Sequence, residues 1–336
     1  MKSMRVLVTG GAGFIGSHVC ERLIRDGHSV VIVDDLNDFY PARSKQENLD
    51  SVRLSGPVVF HHADIRDEAA IGKLFQEHRP DAVIHLAARA GVRPSLEQPL
   101  LYESVNVRGT MILLEECRRM EVKKFVFASS SSVYGAANRV PFSEEDQVNR
   151  PISPYAATKL AGEKICYTYA HLYGISAVCL RFFTVYGPRQ RPDLAIRKFT
   201  DLIHRGKRIP VFGNGSSSRD YTFIDDIVDG IVAGMHHQGD YEIFNLGNSH
   251  PIDLLTLIRT IEDALGKKAA IDWQPDQPGD VPITYAEIGK ARELLGYDPR
   301  TPFQEGIRKF VQWYSEPKIP AQKDRTQPVY VRAAVP

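Results

Sequence analysis

Cysteine is scarce in this sequence: there are four in 336 residues. They stand apart as Cys20, Cys117, Cys166 and Cys179, with no Cys-x-x-Cys pair and no zinc-like spacing. That excludes a disulfide scaffold or a cysteine-based metal module and predicts buried free thiols. Charge of one sign is missing as well. Lys and Arg number 42 against 41 Asp and Glu, for a net charge of +1. No concentrated basic patch exists of the kind that nucleic-acid binding needs. Substrate phosphates must then be met by a few placed cations. No stretch approaches the roughly 20 apolar residues that cross a bilayer. Only Val6-Leu7-Val8 precedes the first glycines, too little for the apolar region of a signal peptide. A soluble, cytoplasmic chain is expected, with neither membrane nor nucleic acid as a partner.

What is present is ordinary globular material, 43% hydrophobic and 25% charged, enough for a large core and a second, smaller lobe. The first half alternates short apolar runs with longer helical patterns, as parallel βαβ units do. Strands are predicted at Arg5–Thr9, Ser29–Asp34, Val58–His61, Ala82–His85, Lys124–Ala128 and Ser176–Arg181. Helices are predicted at about Phe14–Asp26, Glu68–His78, Leu100–Met120 and Tyr155–Tyr173. Right-handed crossovers between such units give an α/β fold, a doubly wound parallel (Rossmann) sheet.

After Arg181 the rhythm breaks. Residues 182–223 read as loop-rich around one helix near Asp193–His204, and a helix near Asp225–Met235 with a strand near Tyr241–Asn245 reads as a return to the first lobe. The predicted division is a dinucleotide domain over 1–181, with 224–250 returning to it. A smaller α/β substrate lobe is predicted from 182–223 and 251–315. The tail, 316–336, lacks periodicity and is expected to carry no fixed structure.

The motif at Gly10-Gly11-Ala12-Gly13-Phe14-Ile15-Gly16 follows a strand and opens a helix, and Asp34 ends the next strand. A lone glycine pattern is weak evidence. In this setting it predicts a dinucleotide site, with glycines admitting a pyrophosphate to the helix N-terminus. A carboxylate at Asp34 accepts ribose hydroxyls and repels a 2′-phosphate, so the cofactor is NAD rather than NADP. Asp64-Ile65 flanks the adenine in this reading, although Asp64 could equally cap the following helix.

Tyr155 and Lys159 lie four apart behind Ser153-Pro154, a good start for a helix. On a helix they share one face. A phenol with a pKa of about 10 needs a neighbouring cation to serve as a base at neutral pH. Alone, Tyr-x-x-x-Lys is an ordinary surface pattern; behind a dinucleotide fingerprint it predicts catalysis. Ser129 to Ser132 end a predicted parallel strand, at the edge where ligands bind in such sheets. Asp225-Asp226 suits a helix start. His61-His62 and His236-His237 show no partner at metal spacing, so no metal is expected.

Taken together, the glycine turn, His85-Leu86-Ala87-Ala88, the serine run with Val133-Tyr134-Gly135, Tyr155 with Lys159, Arg181-Phe182-Phe183, Arg219-Asp220-Tyr221 and Asn245-Leu246-Gly247 resemble the extended short-chain dehydrogenase/reductases, the NAD-dependent epimerase/dehydratase family. The resemblance covers roughly residues 4 to 315. It implies tightly held NAD on Gly10, Gly13, Phe14, Ile15, Gly16, Asp34, Asp64, Ile65, Leu86, Ala87 and Lys159. It further implies a UDP-sugar substrate, catalysis by Tyr155, Lys159 and Ser130, and a homodimer formed through two helices per subunit.

The family's dehydratases carry Asp-Glu, and its decarboxylases Ser-Glu, where this chain has Ser131-Ser132. The proton handlers for those eliminations are therefore missing, whereas epimerisation needs none. Gly91-Val92-Arg93-Pro94-Ser95, Thr184 within the Arg181–Pro188 segment, Arg191-Pro192-Asp193-Leu194-Ala195 and Gln277-Pro278-Gly279-Asp280-Val281 look like the UDP-glucuronate 4-epimerases. The implied sugar contacts are Ser131, Ser132, Thr184, Arg191 and Arg93, with Arg219 at the diphosphate and Asp280 at the uridine ribose. Arg191 has a plainer alternative, pairing with Asp193. Rival readings are a UDP-galactose or UDP-N-acetylhexosamine 4-epimerase, a UDP-glucuronate decarboxylase, and an NAD-binding regulator without catalysis.

Overall fold

The computed structural model describes residues 3–136, 139–275 and 283–316. The first half builds β1 (Arg5–Thr9), α1 (Phe14–Arg25), β2 (Ser29–Asp34), α2 (Ala42–Ser55), β3 (Val58–His62), α3 (Glu68–His78), β4 (Ala82–His85), α4 (Val92–Glu97), α5 (Pro99–Glu103), α6 (Gly109–Arg119) and β5 (Lys124–Ser130). The remainder builds α7 (Pro154–Tyr173), β6 (Ser176–Phe182), β7 (Thr184–Tyr186), α8 (Ala195–His204), β8 (Arg208–Phe212), β9 (Ser218–Phe223), α9 (Ile224–His236), β10 (Tyr241–Leu246), β11 (Pro251–Asp253), α10 (Leu254–Leu265), β12 (Ala270–Gln274), β13 (Ile283–Thr284), α11 (Gly289–Leu295) and α12 (Phe303–Ser315).

Seven strands form one parallel sheet in the order β10-β6-β5-β4-β1-β2-β3. The apolar strands are covered on both faces, and their two-residue period divides the core in two. Val6, Val8, Ile32, Ile84 and Leu180 face one cluster, while Leu7, Val31, Val33, Phe125 and Phe127 face the other. All four cysteines are buried and free, as expected. The strand order reverses between β1 and β4, so the carboxyl ends of those strands open a crevice there.

The predicted strands of this sheet are all present, displaced at their ends by no more than two residues. Three predictions need correction. The helix expected over Leu100–Met120 is interrupted: Ser104–Arg108 widens into a π turn, closed by the Gly109 N–H on the Ser104 carbonyl. Helix α2 was not predicted, because only its Leu49 and Val52 supply a buried apolar stripe. The segment 182–223, expected to be loop around one helix, also holds β7, β8 and β9. β9 pairs with β7, β11 and β13, and β8 with β12. Asp280, Gln277 and the tail from residue 317 lie outside the described residues. Among the described residues no helix is long and apolar enough to cross a membrane.

Candidate functional site

The crevice is a cavity of about 390 Å³ that runs from the glycine turn, past the ends of β2, β4 and β5, to β7. At its start Gly10 has φ +72°, and a Cβ there would lie 2.7 Å from the Ala87 nitrogen. A Cβ on Gly16 would lie 2.1 Å from the Gly10 carbonyl oxygen. Glycine is required at both places, because the turn packs directly on β4 and on the first turn of α1. The arrangement leaves the N-terminus of α1 facing the cavity, where it favours an anionic group such as a pyrophosphate.

Asp34 closes this end. It accepts the Ala12 N–H at 3.1 Å and the Leu36 N–H at 2.9 Å. A carboxylate has about four acceptor sites, so capacity for ribose hydroxyls is left over. Burial raises its pKa, opposed by the Leu36 hydrogen bond and the Lys45 ammonium. Asp64 also lines the cavity, held by Arg66 with Nη2–Oδ2 at 2.5 Å. Arg66 lowers its pKa by that hydrogen bond. It is not the helix cap: Asp67 caps α3 by accepting the Ala70 N–H at 3.0 Å. Gly13, Phe14, Ile15, Ile65, Leu86 and Ala87 complete the lining at this end.

At the other end stand Tyr155 and Lys159 of α7, which starts as the sequence predicts. The Ser153 hydroxyl oxygen accepts the Ala156 N–H at 3.2 Å and Pro154 opens the first turn, a cap worth about 1 kcal/mol. Lys159 is 4% exposed, and its Nζ donates to the Ala128 carbonyl at 2.6 Å. Burial pushes its pKa down to about 8, against the Cys166 and Glu163 groups that raise it. Burial also raises the Tyr155 phenol, while a hydrogen bond with Ser130 and the charge of Arg191 pull it down. The Ser130 hydroxyl additionally accepts the Ser132 N–H at 3.2 Å. The serine run is thus both a capped turn and part of the cavity wall.

Ser131, Ser132, Thr184 and Arg191 line the same end. Arg191 shows its plainer reading while still lining the cavity: it pairs with Asp193 through contacts of 3.0 and 2.7 Å, and its guanidinium lies 5.2 Å from the centre of the Phe39 ring. Among the described lining residues the carboxylates are Asp34, Asp35 and Asp64, all at or beyond the ends of β2 and β3. None stands beside Tyr155. Arg93 is exposed on α4 and Arg219 lies on β9, its Nη1 donating to the Ser218 carbonyl at 2.9 Å; neither lines this cavity.

Sequence reasoning missed several groups. Lys45 and Arg89 both line the cavity, yet each reads in sequence as a solvated surface cation. Asn106, within the π turn, accepts the Arg89 N–H at 2.8 Å and donates to the Arg89 carbonyl and the Thr158 hydroxyl, both at 3.0 Å. It ties the cavity wall to α7. His85 bridges Thr9 at 2.7 Å and Thr110 at 3.0 Å, and burial lowers its pKa to about 3. Beneath Ser130, Glu163 takes both Arg181 nitrogens at 2.9 and 2.8 Å and the Ser129 hydroxyl at 2.6 Å. The carboxylates Asp225 and Asp226 do begin α9, and Asp226 accepts the N–H groups of Arg300 and Thr301. His61 departs from expectation: the fold brings His78 and Glu77 beside it.

Comparison with known proteins agrees with this arrangement. Residues 7–310 match a family model described as GDP-mannose 4,6 dehydratase. A UDP-glucuronate 4-epimerase of Thermodesulfobacterium geofontis is 44% identical over 311 residues, covering 92% of this chain and 96% of the relative. A solved UDP-glucuronic acid 4-epimerase from Bacillus cereus, in complex with UDP-glucuronic acid and NAD, is 37% identical with a TM-score of 0.86, covering 92% and 98% of the two chains. A UDP-glucose 4-epimerase of Thermotoga maritima with UDP-glucose is 34% identical, also at a TM-score of 0.86, covering 93% and 98%.

Proposed function

The chain belongs to the GDP-mannose 4,6 dehydratase family of NAD-dependent epimerases and dehydratases, and on that premise we propose that it epimerises UDP-glucuronate at C4 to UDP-galacturonate. The observation that carries the substrate is the make-up of the cavity beside Tyr155. Hydroxyls of Ser131, Ser132 and Thr184 and the cation Arg191 line it, and no carboxylate does among the described residues. An anionic sugar meets attraction there. The same lack of a carboxylate removes the acid and base that water elimination needs. Three relatives and structures named for UDP-glucuronate support the reading.

NAD bound along Gly10–Gly16 and Asp34 would supply the redox chemistry, as acceptor and then donor of the C4 hydride. The protein handles the proton. Tyr155, in contact with Ser130, accepts it from the 4-hydroxyl, and the positive charge of Lys159 favours the phenolate that results. Turning of the 4-keto sugar about its diphosphate linkage would present its other face for reduction, and Tyr155 would return the proton. A 4-keto uronate is a β-keto acid, which loses CO2 when its carboxylate stands perpendicular to the carbonyl. Ser131, Ser132, Thr184 and Arg191 hold the carboxylate out of that alignment.

Arg219, on β9 of the proposed substrate lobe, meets the diphosphate, while Asp280, assigned to the uridine ribose from the sequence, lies outside the described residues. Arg93, exposed on α4 outside this cavity, is a further candidate contact for the sugar. The molecule works as a cytoplasmic homodimer. The exposed Met111 on α6 and Tyr167 and Leu172 on α7 support that association. The substrate assignment is tested by steady-state kinetics on UDP-glucuronate and UDP-glucose side by side. A preference of about 100-fold or more in kcat/KM for the uronate is expected. Equal values would hand the site to a hexose 4-epimerase.

A further inference from the structure

Outside the cavity, the fold assembles one side-chain cluster that the proposed reaction does not use. His61 is the penultimate residue of β3, and Glu77 and His78 end α3. The Nε2 atoms of the two histidines are 2.7 Å apart, with ring centroids at 4.8 Å, and a Glu77 carboxylate oxygen lies 3.6 Å from the His78 Nε2. The ligand atoms of all three lie within 4.8 Å of one another.

From this convergence we infer that His61, Glu77 and His78 form a binding site for a first-row divalent metal ion of the zinc class. Two imidazole nitrogens and one carboxylate oxygen are the donor set such ions take, with water completing the shell. Tetrahedral coordination at a Zn–N distance of about 2.0–2.1 Å places two nitrogens about 3.3 Å apart. The rings therefore separate by about 0.6 Å, well within the freedom of two half-buried side chains. No proton needs to leave. The ring that carries hydrogen on Nε2 transfers it to Nδ1, and the N–H···N bridge is replaced by two metal–nitrogen bonds.

The surroundings favour a cation. His61 and Glu77 line a shallow pocket of about 330 Å³ whose wall also carries Asp35, Asp64 and Asp67, with Lys73 as the opposing charge. His78 ends α3, where the helix dipole presents its negative end. Arg5 faces His78 from β1 and donates to its carbonyl. Because β3 is the edge strand of the seven-stranded sheet, the ion would clamp that edge to the helix that covers it.

The test is isothermal titration of the purified full-length protein, with its nucleotide retained, against Zn2+. The Co2+ absorption spectrum serves as a second readout of tetrahedral coordination. One equivalent is expected to bind. His61→Ala, His78→Ala and Glu77→Gln should each weaken binding by at least about tenfold, while His62→Gln, in the neighbouring exposed histidine, leaves it intact. Absence of one-equivalent binding in the wild type, or wild-type affinity retained in both His61→Ala and His78→Ala, would overturn the assignment. The less invasive Glu77→Gln variant keeps the test decisive if a histidine variant does not fold.

Discussion

At the residue scale the proposed chemistry rests on Tyr155 and on what keeps its proton mobile. Tyr155→Phe is expected to lower kcat by at least about 100-fold, the usual share of a positioned acid or base. The cavity should stay intact in that variant, and binding of UDP-glucuronate, measured by calorimetry, should persist. A second expectation concerns product identity. Ser131 and Thr184 line the Tyr155 end of the cavity, and replacing either with Ala should raise the fraction of decarboxylated pentose product seen by NMR. Unchanged product ratios in both variants would remove those hydroxyls from the control of the carboxylate. That Tyr155 and Lys159 meet in one cavity was legible in the sequence, because two residues four apart on a helix must share a face. Asn106 was not, since its reach to Arg89 and Thr158 depends on the π turn at Ser104–Arg108. An apolar pattern that continues through that turn gives no sign of it.

At the scale of elements, the cavity depends on how α7 is fastened to β5 and β6. The fastening is the Glu163–Arg181 pair, 0% and 1% exposed, with Ser129 and Tyr134 attached to it. Glu163→Gln would leave the guanidinium buried without its counter-charge, a change that costs about 3–5 kcal/mol. Urea unfolding should register that loss. Helix α6 is fastened to the sheet differently, through neutral His85 between Thr9 and Thr110. His85 and the buried His18 are both held at a pKa of about 3 by burial, against about 6.5 in the unfolded chain. The unfolded state therefore binds more protons below pH 6.5, and stability falls as pH drops through that window toward 3. Each histidine contributes a slope of up to about 1.4 kcal/mol per pH unit. Urea midpoints measured from pH 7 to 5 should show it, and His85→Gln should remove one share of the slope. Apolar strand runs such as Val6–Val8 made the sheet legible. The short strands β7, β8, β9, β11, β12 and β13 were not, because partners distant in the chain decide them rather than local pattern. Helix α2 was missed for a related reason: it covers α1 with a narrow stripe and otherwise faces solvent.

At the scale of the whole molecule, one parallel sheet places a cofactor turn, a carboxylate and a Tyr–Lys pair along the same crevice. The sequence disclosed most of that crevice, because its motifs stand at strand ends and strand order then brings them together. It did not disclose the meeting of β3 with the end of α3, where His61 and His78 come from different elements. Association belongs to this scale too. Met111, Tyr167 and Leu172 are 43%, 52% and 59% exposed, and a dimer through α6 and α7 would cover them. Light scattering after size exclusion should return twice the chain mass of 37.7 kDa, and Tyr167→Glu combined with Met111→Glu should return the monomer.

The most direct test of the central claim is to incubate the purified protein with UDP-glucuronate, adding no cofactor, and to follow the sugar by NMR. The account requires UDP-galacturonate to appear without release of CO2, on NAD that the protein carries with it. Pentose products with CO2 would make the enzyme a decarboxylase and contradict the reading of its serines. No conversion, even after NAD is added, would contradict the substrate itself.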